Sequence, residues 1–165
     1  MDGKWTIDSG MEKIESKLSS YSLPNKPTTF GKDYDFPEDI NKLTSQELGK
    51  WMFKLAAWKG YALRMASVTE SEASLVEDAY NVLLAKAASE VILEKRINKE
   101  LLSGRALASN PDLQKLKVRF METAAEVISL KRVLEIYTME IEIISREITR
   151  RDIESRNYTK GVGID

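Results

Sequence analysis

The feature that most constrains the fold of this 165-residue chain is a long apolar repeat in its C-terminal third. Between residues 113 and 148, apolar side chains recur at alternating steps of three and four, with Thr123 as the polar member. This spacing keeps one stripe of a helix apolar and predicts a coiled-coil-like seam. Asn110 and Pro111 supply the N-cap and the first turn. The seam consists of Leu113, Leu116, Phe120, Thr123, Val127, Leu130, Leu134, Tyr137, Ile141, Ile144 and Ile148.

A second long helix is predicted between residues 44 and 102. Thr44 and Glu47 have the spacing of a capping box, and no proline follows until Pro111. Thr69-Glu70-Ser71-Glu72 offers a second capping box, so two helices are an alternative. We favour one helix, because a turn at this point would lack glycine and proline. Ser103-Gly104 predicts its end, with a short loop after it.

These patterns predict an all-α fold, a long antiparallel helical hairpin with coiled-coil-like packing that assembles into a helical homo-oligomer. Residues 1–43 are expected to hold a short helix and a proline-bearing arm, because three of the four prolines lie between residues 22 and 38. Residues 44–157 would form the hairpin and oligomerisation domain. Residues 158–165 are expected to be a disordered tail.

The prediction of an oligomer depends on a surplus of apolar residues in the last helix. Val118, Met121, Ile128, Val133, Ile136, Met139 and Ile143 lie off the seam. A helix that is apolar on more than one face must be packed against other elements on more than one side. Its single partner in a hairpin packs against only one side. We therefore assign the oligomer interface to this helix, with Leu113, Leu116, Phe120, Val127, Leu134, Ile141, Ile144 and Ile148 as its seam residues.

The composition argues against catalysis. The chain has no histidine and no cysteine, which removes the commonest general base and the commonest soft metal ligands. No phosphate-binding loop or nucleophile elbow occurs. We expect a protein that is not an enzyme and has no cofactor and no metal. No stretch resembles a signal peptide or a membrane span, so a cytoplasmic location without membrane contact is expected.

The segment KWMFKLAAWKGYALR, residues 50–64, contains four cations and no acid. On a helix, five of its residues share one stripe: Lys50, Lys54, Trp58, Tyr61 and Arg64. Cations with interleaved rings suit single-stranded nucleic acid, since they contact phosphates and stack on bases. The alternative interpretation, which the sequence alone favours, is a core helix with cations extending from its edge to solvent.

Two further basic clusters follow. Lys95, Arg96, Lys99 and Arg105 surround the predicted helix end, where cations also balance the helix dipole. Arg146, Arg150, Arg151 and Arg156 lie near the C-terminus among acidic residues. In an oligomer each cluster is repeated, so modest patches gain affinity through multivalency.

The layout of residues 45 to 157 resembles the phage recombination mediator proteins of the T4 type. The resemblance rests on KLAAWKGYALR in the first long helix, EKRINKELLSGR before the glycine, and arginines at the end of the last helix. It implies a helical homo-oligomer that binds single-stranded DNA and loads a RecA-like recombinase onto strands covered by a single-strand-binding protein. It places the DNA contacts at Lys95, Arg96, Lys99 and Arg105.

Two functions are therefore open. The first is an oligomeric accessory protein of phage-type recombination or replication, with single-stranded DNA, a recombinase and a single-strand-binding protein as partners. Its nucleic-acid-binding residues would be Lys50, Lys54, Trp58, Tyr61, Arg64 and the cluster of Lys95, Arg96, Lys99 and Arg105. The second is a structural or adaptor oligomer of a larger, phage-like assembly that binds no nucleic acid.

Overall fold

A computed structural model of the protein describes residues 6–21, 23–28, 36–91 and 99–161. It contains α1 (Ile7–Ser19), a 3₁₀ turn (Ile40–Lys42), α2 (Ser45–Val91), α3 (Lys99–Ser109) and α4 (Pro111–Gly161). None of these described residues lies in a β-strand. The all-α prediction is confirmed.

The helices begin at caps that the local sequence specifies. At the start of α2, the backbone N–H of Thr44 donates to the Glu47 carboxylate at 2.7 Å, and the Glu47 N–H donates to the Thr44 hydroxyl at 3.2 Å. This is the predicted capping box, and the Thr44 N–H lowers the pKa of Glu47. At α4, the Asn110 carbonyl oxygen Oδ1 accepts from the N–H groups of Asp112 and Leu113, as an N-cap does.

One alternative interruption and one predicted interruption are absent. Helix α2 continues through residues 69–72, where a break was the alternative. Helix α3 continues through Ser103-Gly104, so the predicted stop and the loop after it are wrong. A helical glycine costs only about 1 kcal/mol, and Ala106 just beyond it is fully buried, which favours continuation. Helix α3 ends at Ser109. The next residue, Asn110, is the N-cap of α4 and is followed directly by Pro111.

The end of α4 also differs from the prediction. The helix extends to Gly161, so residues 158–161 are helical rather than part of a disordered tail. No helix breaker precedes Gly161, and the last turns contain an ion pair between Arg156 and Asp152 at 2.8 Å. Residues 162–165 lie outside the described residues.

The chain divides into two compact units. Unit 1 comprises Met1–Leu23 and Met65–Leu130, and unit 2 comprises Pro24–Arg64 and Lys131–Asp165. In unit 2, Leu48 and Leu55 of α2 pack with Ile144 of α4 in a fully buried cluster. Arg151 of α4 contacts Leu43 just before α2 begins, so the two helical segments run antiparallel.

Unit 1 has its own core. Ala87 of α2, Ala106 of α3 and Leu113 of α4 form its buried cluster. The Arg119 guanidinium of α4 donates to Glu72 of α2 at 2.8 and 3.0 Å and to Asp8 of α1 at 3.2 Å. Because Glu72 meets Arg119 while Ala87 meets Leu113, the α2 and α4 segments of this unit are also antiparallel. A continuous coiled-coil hairpin and its oligomerisation stay predictions.

Candidate functional site

The basic-aromatic face of α2 comprises Lys50, Lys54, Trp58, Tyr61 and Arg64, all in unit 2. Lys50 is exposed and the other four residues are half-buried, so this face is neither fully buried nor fully exposed to solvent. Trp58 and Tyr61 pack edge to face with ring centroids 6.2 Å apart. The Lys54 ammonium lies 4.1 Å from the ring centroid of Trp51, a cation–π contact that holds it near the helix surface.

Residues 23–28 cover one end of this face, and we call them the proline strap. The Arg64 guanidinium donates to the Asn25 side-chain oxygen at 2.8 Å and reaches the Pro24 carbonyl at 3.4 Å. Pro24 also lies over Gly60, in space that a side chain at position 60 would need. A nucleic acid on this face would therefore find Arg64 engaged and Lys50 open.

The second predicted cluster is only partly described. Lys95 and Arg96 lie outside the described residues. Lys99 begins α3, but its side chain also lies outside the description. Arg105 is exposed on α3. The predicted DNA contacts of this cluster thus stay a prediction.

The arginines near the C-terminus have acidic partners on their own helix. Arg146 pairs with Glu142 at 3.6 Å, and Arg150 pairs with Glu147 at 2.8 Å and with Glu154 at 2.5 Å. Ion pairing reduces the positive potential that these arginines present to a polyanion. The cluster therefore presents less positive potential than its arginine content indicates.

Arg151 has a role that the sequence did not reveal. Its guanidinium donates to the backbone carbonyls of Leu43 at 2.6 Å, Asn41 at 3.2 Å and Ile40 at 3.3 Å, and to Glu147 at 2.6 Å. Glu147 is buried and also accepts two hydrogen bonds from Arg150. Arg150 first and Arg151 second lower the pKa of Glu147 to about 2. This network fastens the 3₁₀ turn to α4.

Glu140 is the opposite case, a buried carboxylate without a hydrogen bond at one oxygen. Its Oε2 has no partner in the part of the chain that the structure describes. Burial raises the pKa of Glu140, and it also raises that of Tyr137 one turn earlier. Within the described residues, no group of three or more acidic side chains could hold a metal ion. Glu140 is therefore a buried carboxyl group whose charged form is disfavoured.

The predicted seam lies inside the chain. Leu113 and Ile144 are fully buried within their own units, and Ile141 and Ile148 pack around the core of unit 2. Phe120 stacks on Tyr80 of α2, with ring centroids 6.3 Å apart. Leu116, Val127 and Leu134 are half-buried. Helices α2 and α3 already cover Leu113 and Ile144 within the chain, and the assignment of the seam to an oligomer interface stays a prediction.

The apolar surplus of α4 is exposed in both units. Unit 1 exposes Val118, Met121 and Ile128, and unit 2 exposes Val133, Ile136, Met139 and Ile143. These are the seven residues that the sequence placed off the seam. In a surface helix such positions ordinarily carry polar side chains.

Comparison with known proteins gives no match. No protein-family model, no curated protein and no solved structure shows significant similarity to this chain. The resemblance to recombination mediators therefore stays a prediction. Within the residues that the structure describes, no helix is both long and apolar enough to cross a membrane.

Proposed function

We propose that this chain is a non-catalytic helical protein that associates with copies of itself and acts as a structural or adaptor part of a larger, phage-like assembly. The observation that carries the proposal is the exposed apolar surplus of α4, seven large side chains outside the core of either unit. Monomeric proteins rarely expose contiguous apolar patches of large size, and those that do use them for interaction.

Covering the apolar surplus of α4 releases free energy of the same order as the cost of association. Fully burying one Val, Ile or Met side chain contributes about 1.5–3 kcal/mol, so covering a half-exposed one contributes roughly 1 kcal/mol. Association costs roughly 4–15 kcal/mol in lost freedom. Several such side chains must be covered together, which is why a long helix with a repeated apolar face is suited to the task.

Sedimentation velocity across micromolar concentrations tests the proposal. We expect a species heavier than the 18.7 kDa chain, with a mass that is a multiple of it. A single 18.7 kDa species at every concentration would contradict the proposal.

Single-stranded DNA binding by the basic-aromatic face is the second candidate function, as in an accessory protein for a RecA-like recombinase. It is favoured by one observation: Lys50 is exposed beside half-exposed Lys54, Trp58 and Tyr61 on α2. Fluorescence anisotropy with a labelled single-stranded oligonucleotide should then show binding that weakens steeply with salt.

A matched pair of variants separates this binding from general charge. Lys50→Ala should weaken oligonucleotide binding, whereas Lys115→Ala should not, because Lys115 is an exposed cation of unit 1 paired with Asp112. Equal weakening by both would remove the basic-aromatic face as the site.

A further inference from the structure

Arg64, the last cation of the basic-aromatic face, is held by uncharged groups of the proline strap. Its guanidinium nitrogen Nη1 donates to the Asn25 side-chain oxygen at 2.8 Å and to the Pro24 carbonyl at 3.4 Å. The C-terminal arginines differ, because Arg146 and Arg156 are paired with carboxylates. A neutral acceptor holds a guanidinium in place without compensating its charge. Arg64 therefore keeps its positive charge while the strap occupies one of its nitrogens.

The strap is fastened to α2 by packing as well as by this hydrogen bond. Pro24 lies over Gly60, so that a Cβ at position 60 would stand 3.2 Å from the Pro24 Cγ. Gly60 precedes Arg64 by about one helical turn. Two neighbouring strap residues thus hold it at two points of α2, one through packing and one through a hydrogen bond. Each point can be weakened by a single substitution.

The contact with Asn25 and Pro24 does not use the full binding capacity of Arg64. Both strap acceptors share the single nitrogen Nη1. A phosphate group instead accepts two parallel hydrogen bonds from the guanidinium fork and adds an opposite charge. Pro24 and Asn25 are also exposed, so they can leave α2 without disrupting a core. A phosphate is therefore a stronger partner for Arg64 than the strap is.

Arg64 lies next to the aromatic rings of the face. Trp58 and Tyr61 are half-buried and pack edge to face. Arg64 follows Tyr61 by three residues, which places it about 60° around α2 and about 4.5 Å along it. Single strands bind where bases stack on rings and nearby cations contact the phosphates. The strap thus occupies the cation beside the C-terminal ring of the face.

We infer that the proline strap is an autoinhibitory contact, in which Asn25 and Pro24 occupy Arg64 and must leave it before the phosphate backbone of a single strand binds there. The inference rests on the second candidate function, single-stranded DNA binding by the basic-aromatic face, and adds how that face is regulated. A strand that must first displace the strap binds more weakly than it would bind the open face.

The first measurement follows the strap without nucleic acid. Phenylglyoxal modifies arginine side chains, and mass spectrometry of the peptides gives the rate at each arginine. Asn25→Ala removes the hydrogen-bond acceptor, and Gly60→Ala displaces Pro24. Arg64 should react faster in both variants than in the wild type. The reference is Arg132, whose side chain is 73% exposed and which should react equally in all of them.

Gly49→Ala is the matched control for Gly60→Ala. It makes the same substitution in the same helix, but nothing lies within 4 Å of the added Cβ. It should therefore leave the strap in place, and Arg64 should react as it does in the wild type. A difference between the two glycine variants then reports on Pro24 rather than on helix propensity.

The second measurement counts phosphate contacts by fluorescence anisotropy with a labelled single-stranded oligonucleotide at several salt concentrations. Each phosphate contact on a single strand changes the slope of log K against log salt concentration by about 0.7. Asn25→Ala and Gly60→Ala should each steepen the slope by about this amount and raise the affinity by up to about eightfold at about 50 mM salt. Gly49→Ala should bind as the wild type does.

A double variant tests whether Arg64 is the source of this gain. On a chain that already carries Arg64→Ala, adding Asn25→Ala should change neither the affinity nor the salt slope. A gain that persists without Arg64 would show that the strap covers a different contact, and it would overturn the inference.

The remaining outcomes separate this inference from the function on which it rests. If the wild type binds the oligonucleotide and the two strap variants bind equally or more weakly, the inference falls and the second candidate function stands. If no variant binds, even where Arg64 reacts faster, both fall. Equal reactivity of Arg64 in all four proteins would show that the strap does not occupy it, which overturns the inference whatever the binding result.

Discussion

Pro24 lies against Gly60 so closely that a Cβ at position 60 would stand 3.2 Å from the Pro24 Cγ. With the hydrogen bond from Arg64 to Asn25, this contact fastens the proline strap to α2. Both contacts lie within unit 2. The strap covers one end of the basic-aromatic face, so its attachment decides how much of that face is open.

The first prediction compares two helical glycines. Gly49→Ala should stabilise the protein by about 1 kcal/mol, since alanine is the better helix former and nothing lies within 4 Å of the added Cβ. Gly60→Ala should fall short of that gain by about 1 kcal/mol, because Pro24 must move. Urea unfolding of the two variants measures the difference. Equal gains at both positions would show that the strap is not held against α2.

The second prediction concerns Arg151. Arg151→Ala should lower the melting temperature by about 5 °C or more, because three backbone carbonyls and Glu147 each lose a donor. Arg156→Ala is the matched control, since Arg156 also pairs with an acid four residues away but is exposed. That change should leave the melting temperature nearly constant. Equal losses from both variants would contradict the special role of Arg151.

Local signals in the sequence predicted the starts of α2 and α4. The Thr44–Glu47 capping box and the Asn110 N-cap depend on residues within one turn, so their sequence suffices to identify them. The apolar surplus of α4 was also correctly placed, because helical geometry alone decides which residues lie off the seam. The all-α fold follows from these local patterns together.

Errors arose where contacts beyond one turn decide the structure. Gly104 was expected to end a helix, but the cost of one glycine is small beside the burial of Ala106. The bonds from Arg151 to the carbonyls before α2 join residues more than 100 positions apart, and no local pattern marks them. The proline strap was recognised as non-helical, but its contact with Gly60 depends on tertiary packing.

The third prediction is a pH dependence set by Glu147. Its pKa is lowered from an ordinary 4.5 to about 2 by hydrogen bonds from Arg150 and then Arg151. Because the folded pKa lies below the unfolded one, these bonds stabilise the fold fully above about 4.5, and that stabilisation is lost as the pH falls towards 2. Melting temperatures measured across this interval should fall less steeply for Glu147→Gln than for the wild type.

The control for this interval is Glu135→Gln, which removes an exposed carboxylate paired with Arg132. The difference in melting temperature between Glu135→Gln and the wild type should be nearly the same at every pH. If Glu147→Gln also runs parallel to the wild type, then the Glu147 network does not contribute to acid unfolding.

The fourth prediction concerns Glu140 and has the opposite sign. Burial disfavours its charged form, raises its pKa and leaves Oε2 without a partner among the described residues. Glu140→Leu should therefore stabilise the fold at neutral pH by about 1–2 kcal/mol. The folded wild type holds the proton of Glu140 more tightly than the unfolded chain does. The difference in unfolding free energy between Glu140→Leu and the wild type should therefore shrink as the pH falls through the raised pKa.

Chemical unfolding of the wild type and Glu140→Leu at several pH values measures this difference in unfolding free energy directly. Glu142→Leu is the matched control, since Glu142 lies two residues away, is exposed and pairs with Arg146. Its effect on the unfolding free energy should be small and nearly independent of pH. A loss of stability in Glu140→Leu at neutral pH would mean that the carboxylate is charged and satisfied, which requires a donor other than the described residues. A donor from a second copy would act only at concentrations at which the chain associates, so repeating the measurement over a range of protein concentrations would test that source.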